Sequence, residues 1–375
     1  MGEGLRAART AHGWSQERLV REIERYARRH LLDVASTASL RVYVSDWENS
    51  RRSLSGRYTR ILRALLGITD TELNGKASAE SHVVSGYDEL LACIDSARNV
   101  SLTMVETFMA QTELLRTIDR QAGAAGLVDQ MRGHLAALEE ALTFAILPET
   151  KQPIALALAG AATLAAWQAL DVGAVERAWR HYELGKRAAQ EAGAPMYLAH
   201  AMGEQAYVLY EAGRPETALE IIGRARHAGR RQHSPRLRAW LLAAEAEMSA
   251  LSGDSDTCRR ALDAASDLLP PGDAARDPDM LSIFLNPTHL ARWRGHCLTL
   301  LGDDDAMSCL YATVRTTDPT FVRASAGVRL DLATAHLARE EHTQADEHLR
   351  AARLIAGRTG SVRYRRRIER LTELL

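Results

Sequence analysis

Arg41-Val42-Tyr43-Val44-Ser45-Asp46-Trp47-Glu48-Asn49, with Arg51-Arg52 behind it, is the stretch on which the reading of this chain turns. At helical period Leu40, Val44 and Trp47 fall at i, i+4 and i+7 and make one apolar stripe, so Arg41, Val42, Ser45 and Asp46 share the opposite side. This predicts a helix with its back in a core and a mixed polar face outward. With Ser39 as N-cap and little in Asn49 to Ser53 that prolongs a helix, the element is roughly 10 residues long. A helix of that size fits a major groove, about 12 Å wide.

The flanking sequence carries Leu5-Arg6-Ala7-Ala8-Arg9, Trp14-Ser15-Gln16-Glu17-Arg18-Leu19 and Tyr58-Thr59-Arg60-Ile61-Leu62-Arg63-Ala64-Leu65-Leu66-Gly67. Together with Val44-Ser45-Asp46-Trp47-Glu48-Asn49, these make residues 5 to 73 resemble the helix-turn-helix DNA-binding domain of the phage-repressor or XRE type. The resemblance implies a second helix that crosses the DNA backbone with Ser15 and Gln16 at its N-terminus, and a third that enters the major groove. Helix geometry nominates Arg41, Val42, Ser45 and Asp46 for base edges: Arg41 can bond guanine O6 and N7, and Asp46 can accept from cytosine N4. Ser15, Gln16, Arg51, Arg52 and Arg57 are the phosphate candidates, through side chains and helix N-terminal amides. Trp47 belongs to the core. One departure from the family pattern is the 32-residue run from Ser15 to Trp47, since a tight connecting turn takes only about 3–4 residues. The surplus, Arg21 to Val34, is helical in pattern through Ile23, Ala27 and Leu31, and predicts a lengthened second helix with a longer turn at Ala35-Ser36-Thr37.

A chain of 375 residues exceeds one ordinary domain. No 18-residue apolar run and no N-terminal signal pattern is read, so a soluble, cytoplasmic protein without a membrane partner is expected. The four cysteines, Cys93, Cys258, Cys297 and Cys309, show no CxxC spacing and read as isolated thiols. Net charge is -1, yet the first 70 residues carry 13 arginines against 8 acids. Basic charge is therefore concentrated in the segment expected to meet a polyanion, and the remainder is acidic.

Thr69-Asp70-Thr71-Glu72-Leu73 and Asn74-Gly75-Lys76-Ala77-Ser78 read as a short helix and a linker. The domain reading is a DNA-binding head over 1–75, a linker over 76–85 and a helical body over 86–375. Two long helices open the body, the second ending at Pro148 and Pro153. Beyond them the chain repeats on Gly173, Gly213, Gly253 and Gly302, and again with Glu340 in the turn position. Seven residues before each turn stands a small residue (Ala166, Ala206, Ala246, Gly295, Ala333). Five after stands Ala178, Ala218, Cys258, Met307 or Ala345, and nine after a large one, Tyr182, Ile222, Leu262, Tyr311 or Leu349. Small residues let two helices of a hairpin approach, and large ones fill the groove toward the next hairpin. The frame resembles tetratricopeptide repeats, with longer connections at Ala192-Gly193-Ala194-Pro195 and Pro270-Pro271-Gly272-Asp273. Val362 to Leu375, rich in arginine, reads as a solvated terminal cap helix.

The expected fold is all-α: a helix-turn-helix head followed by an α-solenoid of five tetratricopeptide-like hairpins. The two halves together resemble bacterial regulators in which a helical-repeat domain senses a signal and the head binds an operator. In tetratricopeptide proteins the first helix of each hairpin lines a concave surface. The inward positions here would be Thr163, Trp167, His200, Tyr207, Tyr210, Trp240, Glu247, His289, Arg292, His296 and Thr334, an aromatic and polar set suited to a peptide or small-molecule effector.

Enzymatic readings find no constellation. His289 and His296 are too far apart for the i, i+4 pair of a zinc helix; His336, His342 and His348 step by six and point in different directions. Asp303-Asp304-Asp305 lacks the EF-hand spacing, and no phosphate-cradling glycine motif occurs. No cofactor, metal or catalytic group is expected. The function read is a DNA-binding transcriptional regulator, a homodimer through its repeats, acting on double-stranded operator DNA. The alternative is a protein-interaction scaffold or adaptor in which the head is secondary.

Overall fold

A computed structural model describes residues 2–30, 32, 34–68, 79–98, 100–270, 276–277, 280–316, 318 and 320–375. The described residues form helices with no strand beyond a single bridge between Arg276 and Phe284, so the chain is all-α. It divides into two compact units, Met1–Ala92 and Cys93–Leu375.

The first unit holds α1 (Gly2–Ala11), α2 (Gln16–Arg29), α3 (Thr37–Glu48) and α4 (Gly56–Leu66). α3 packs on α1 and α2, and α4 packs on α2. The apolar stripe Leu40, Val44 and Trp47 is buried against Leu5, Leu19, Ile23, Ile61 and Leu62. The helix starts earlier than expected: the cap is Ser36, whose hydroxyl accepts the Ser39 amide, and Ser39 lies inside the first turn. α2 is long, with Ile23 and Ala27 buried as read; Leu31 lies outside the described residues. The short helix and linker read over residues 69 to 78 also lie outside them.

α5 (Ala79–Arg98) begins within the stretch 76–85 that was expected to be a linker. Between Ala79 and Ser85 no glycine or proline stands to stop a helix.

In the second unit α6 (Leu102–Ala122) and α7 (Val128–Phe144) precede five helix pairs. These are α8 (Pro148–Asp171) with α9 (Val175–Glu191), α10 (Pro195–Glu211) with α11 (Pro215–His227), and α12 (Pro235–Leu251) with α13 (Ser255–Leu268). Then come α14 (Pro287–Leu300) with α15 (Ala306–Thr316), α16 (Val322–Leu337) with α17 (His342–Thr359), and finally α18 (Val362–Thr372). The five turn residues Gly173, Gly213, Gly253, Gly302 and Glu340 are all left-handed, φ 60 to 80°. Each turn closes with the same two bonds, for instance Gly173 N to Leu170 O and Ala174 N to Ala169 O, which satisfy carbonyls at the end of the first helix. Glu340 adopts this conformation without being glycine and makes the same pair of bonds.

The small residues of the frame, Ala166, Ala206, Ala246, Ala333, Ala178, Ala218, Cys258 and Ala345, are fully buried, as are Tyr182, Ile222, Leu262 and Leu349. Tyr311 departs from the pattern: it is 37% exposed and its hydroxyl bonds His336 Nε2 at 2.8 Å. Pro148 opens α8 at its first position, but Pro153 lies inside that helix and does not end it. α8 also overturns the reading that no long apolar run exists. It has a mean hydropathy of 1.5 over an 18-residue window, and 78% of that window is buried within the fold, where α6, α7, α9 and α10 cover it.

First helices of successive pairs touch one another, so α8, α10, α12, α14, α16 and α18 form a continuous wall. The last elements then return to the first: α16 and α17 pack on α6, and α18 packs on α8. Closure is tight at Gly123 (φ 85°), where a Cβ would stand 2.1 Å from the Thr359 carbonyl oxygen. α18 is thus wedged against the start of the unit, and the solvated cap expected from its arginines is corrected below.

Candidate nucleic-acid interface and ligand cavity

On α3 the geometry follows from the stripe: Leu40, Val44 and Trp47 inward leave Arg41 and Val42 outward, with Val42 57% exposed and Ser45 and Asp46 half-buried. Arg41 approaches Glu17 at 3.7 Å, both side chains being more than 60% exposed. A pair so open to water holds its arginine weakly. Arg51, Arg52 and Arg57 are exposed, and the Arg52 guanidinium lies 3.8 Å from the centre of the Tyr43 ring. Ser15 caps α2 by accepting the Arg18 amide, which leaves its own hydroxyl proton free to donate.

Gln16, expected at a phosphate, instead donates Nε2 to Glu48 at 2.8 Å. Glu48 is the residue the sequence reading passed over. Its carboxylate is fully buried beneath α3 and takes hydrogen bonds from Arg9 Nε and Nη2, the latter at 3.0 Å, with Arg6 at 3.5 Å. Burial alone would raise its pKa, but the Arg9 and Gln16 hydrogen bonds outweigh that and hold it below the usual carboxylate range. One ionised carboxylate therefore locks α1, α2 and α3 together, and the inward turn of Gln16 follows from its need for donors.

In the second unit the wall of first helices lines a half-open cavity of about 630 Å³. Nine of the eleven nominated residues line it: Trp167, Tyr207, Tyr210, Trp240, Glu247, His289, Arg292, His296 and Thr334. Thr163 and His200 do not. Thr163 is buried with its hydroxyl on the Ala159 carbonyl, facing Gly185 of α9, and His200 is buried beside Glu204, 3.3 Å away, and Trp240. Both sit one helical face away from the lumen, where packing between neighbouring helices claims them.

The wall is tied by charge. Glu247 of α12 accepts from Tyr207 of α10 at 2.8 Å and from Trp293 Nε1 of α14, and lies 3.3 Å from His296 Nε2. His296 Nδ1 meets Asp331 of α16 at 2.8 Å, and Asp331 also takes Arg367 of α18 at 2.6 Å. Burial opposes the charge on His296, but Asp331 and Glu247 overcome it and raise its pKa to about 9, while Asp331 falls to about 2. At the closure Arg323 of α16 bonds Asp119 of α6 and, at 3.1 Å, Asp171 of α8, which Ser361 also reaches at 2.7 Å.

Arg363 and Arg367 of α18 therefore face inward, Arg363 over the Trp167 ring at 4.8 Å and 3.4 Å from Glu211. Arg365, Arg366 and Arg370 are the exposed ones. The solvated cap holds for those three and fails for Arg363 and Arg367, which turn in to Glu211 of α10 and the buried Asp331 of α16.

His289, two turns from His296 on the same helix, goes the other way. Burial, with Arg292 and Arg120 beside it, pushes it down to about 3. His336 and His348, read as diverging, stack at 5.5 Å between ring centres because α16 and α17 face each other. No cluster able to hold a metal ion occurs among the described residues.

No family model matches this chain, and no curated protein matches it.

Proposed function

We propose that the chain is a sequence-specific DNA-binding transcriptional regulator, cytoplasmic and homodimeric, whose first unit is a helix-turn-helix head and whose second is a tetratricopeptide-like sensor. The observation that carries this reading is the outward face of α3. A helix fixed by three buried residues and a buried carboxylate presents Arg41 and Val42 to solvent, with the exposed arginines 51, 52 and 57 following it in sequence. That is the arrangement of base-reading and phosphate-holding groups a major groove requires. A single short helix reads few base pairs, so two copies would bind half-sites about 34–36 Å apart, or a multiple of that. The cavity gives the second unit a place for an effector, and a ligand bound there would act by its difference in affinity between DNA-bound and free states.

The test is retardation of fragments from the DNA upstream of the chain's own gene, across a salt series. Binding with a steep salt slope is expected. Arg52→Ala should weaken all sequences alike and Arg41→Ala should relax preference for one; absence of any retarded DNA at low salt would favour the scaffold reading instead.

A further inference from the structure

The charged groups around the cavity are almost all matched. Asp119 and Asp171 take Arg323, Glu211 takes Arg363, and Asp331 takes Arg367 and His296. Apart from the exposed Arg370 at the rim, Arg120 and Arg292 are the exceptions among the described residues. Both line the cavity, and among the described residues no carboxylate comes within 4.0 Å of either guanidinium. The nearby Glu113 is committed to Arg116 at 3.1 Å and Arg276 at 3.5 Å, and Arg292 Nε is buried without a hydrogen-bond partner. Arg120 donates only to the Thr117 hydroxyl, at 3.3 Å, and a half-buried guanidinium without a counter-charge favours an incoming anion.

Beside these two cations lies an aromatic platform. Phe284 and Phe321 are 4.8 Å apart between ring centres, His289 stands 4.6 and 4.8 Å from them, and Arg120 lies 5.3 and 5.2 Å from their rings. Phe284 comes from the long connection between α13 and α14, which the repeat frame does not contain. His289 gives Nδ1–H to Asn286 Oδ1, leaving Nε2 as an acceptor, and both arginines push against its protonation. Burial is the larger cause of its low pKa, and Asp318, a carboxylate that acts on both His289 and Arg120, opposes the two arginines only in part.

We infer that the cavity binds an aromatic carboxylic acid, its carboxylate between Arg120 and Arg292 and its ring against Phe284, Phe321 and His289. Guanidinium pairs hold carboxylates by charge-assisted hydrogen bonds, and a cavity of about 630 Å³ falls in the range of small-molecule sites. The inference rests on the sensor reading of this cavity and names its ligand class.

The experiment is calorimetric titration of the full chain with benzoate, phenylacetate, 1-naphthoate and indole-3-acetate, each beside its carboxamide, with phenyl phosphate as a separate arm. At least one acid should bind, its amide at least about tenfold more weakly. Arg120→Gln and Arg292→Gln should each remove most of that affinity without lowering the thermal midpoint, and Arg292→Lys, which keeps the charge, should retain part of it. Equal affinity for acid and amide, no effect of either arginine, preference for phenyl phosphate, or no acid binding at millimolar concentration would each overturn the assignment. Binding of neutral compounds or peptides instead would do so while leaving the sensor reading intact. Acid binding that leaves DNA affinity unchanged would fail the sensor reading and leave the ligand class standing.

Discussion

The two units place their charges in opposite ways. In the first, one acid among the described residues, Glu48, is buried beneath α3 with Arg9, Gln16 and Arg6 gathered on it, while Arg41, Arg51, Arg52 and Arg57 are exposed. In the second, arginines are drawn inside: Arg323, Arg363 and Arg367 each meet buried or half-buried acids and join distant helices. Charge facing outward is available to a polyanion, whereas charge facing inward stabilises a wall and polarises what it encloses. On the proposed function the first arrangement serves contact with DNA, and the second a ligand site.

The largest effect expected from breaking this contrast is at the closure. Arg323→Ala leaves Asp119 and Asp171 buried and uncompensated, and should cost about 3–5 kcal/mol of stability, read as a fall in the urea midpoint of the full chain. A loss below about 0.5 kcal/mol would mean that the return of α16 onto α6 and α8 contributes little.

Next is the pH dependence of the wall, where His296 faces Glu247 and Asp331, with Arg367 on the far side of Asp331. Its pKa is raised from 6.5 to about 9, so the stabilisation is fully present below pH 6.5 and lost as pH rises through 9. The loss should approach about 3 kcal/mol. His296→Gln should flatten the profile between those limits; an unchanged profile would remove His296 from the network.

A smaller effect belongs to the head. Glu48→Ala should cost about 2 kcal/mol by stranding Arg9 and Gln16, seen as faster hydrogen exchange in α1 to α3 while α8 to α18 stay protected. Smallest of all is Arg41→Ala, with a stability change below about 0.5 kcal/mol because its contact with Glu17 is exposed.

Much of this was legible in the sequence because it was periodic. Leu40, Val44 and Trp47 announced which side of α3 is buried, and the turn frame found five left-handed turns, the last on Glu340 rather than glycine. Of the eleven positions nominated by counting back from those turns, nine line the cavity. Local signals misled where a second group decided the outcome: Ser36 outcompeted Ser39 as cap, and Gln16 turned to a carboxylate that only the fold buries. What periodicity could not carry was closure. Asp171 sits in an apolar run as a lone acid, which hinted at a partner, but its partner Arg323 is 152 residues away. Arg120, Phe284 and Phe321 come from outside the repeat frame or from a helix before it, so no count of turns reaches them. The arginines of α18 read as solvated because their acids stand on other helices.

The most direct test is selection of bound sequences from a random duplex library by the full-length protein, run in parallel with Arg41→Ala. One enriched motif is expected, arranged as two half-sites, with at least one base position that loses its preference when Arg41 is replaced, a discrimination of about 1–3 kcal/mol. Recovery of no enriched sequence by the unaltered protein, or of the same motif at every position by Arg41→Ala, would contradict it.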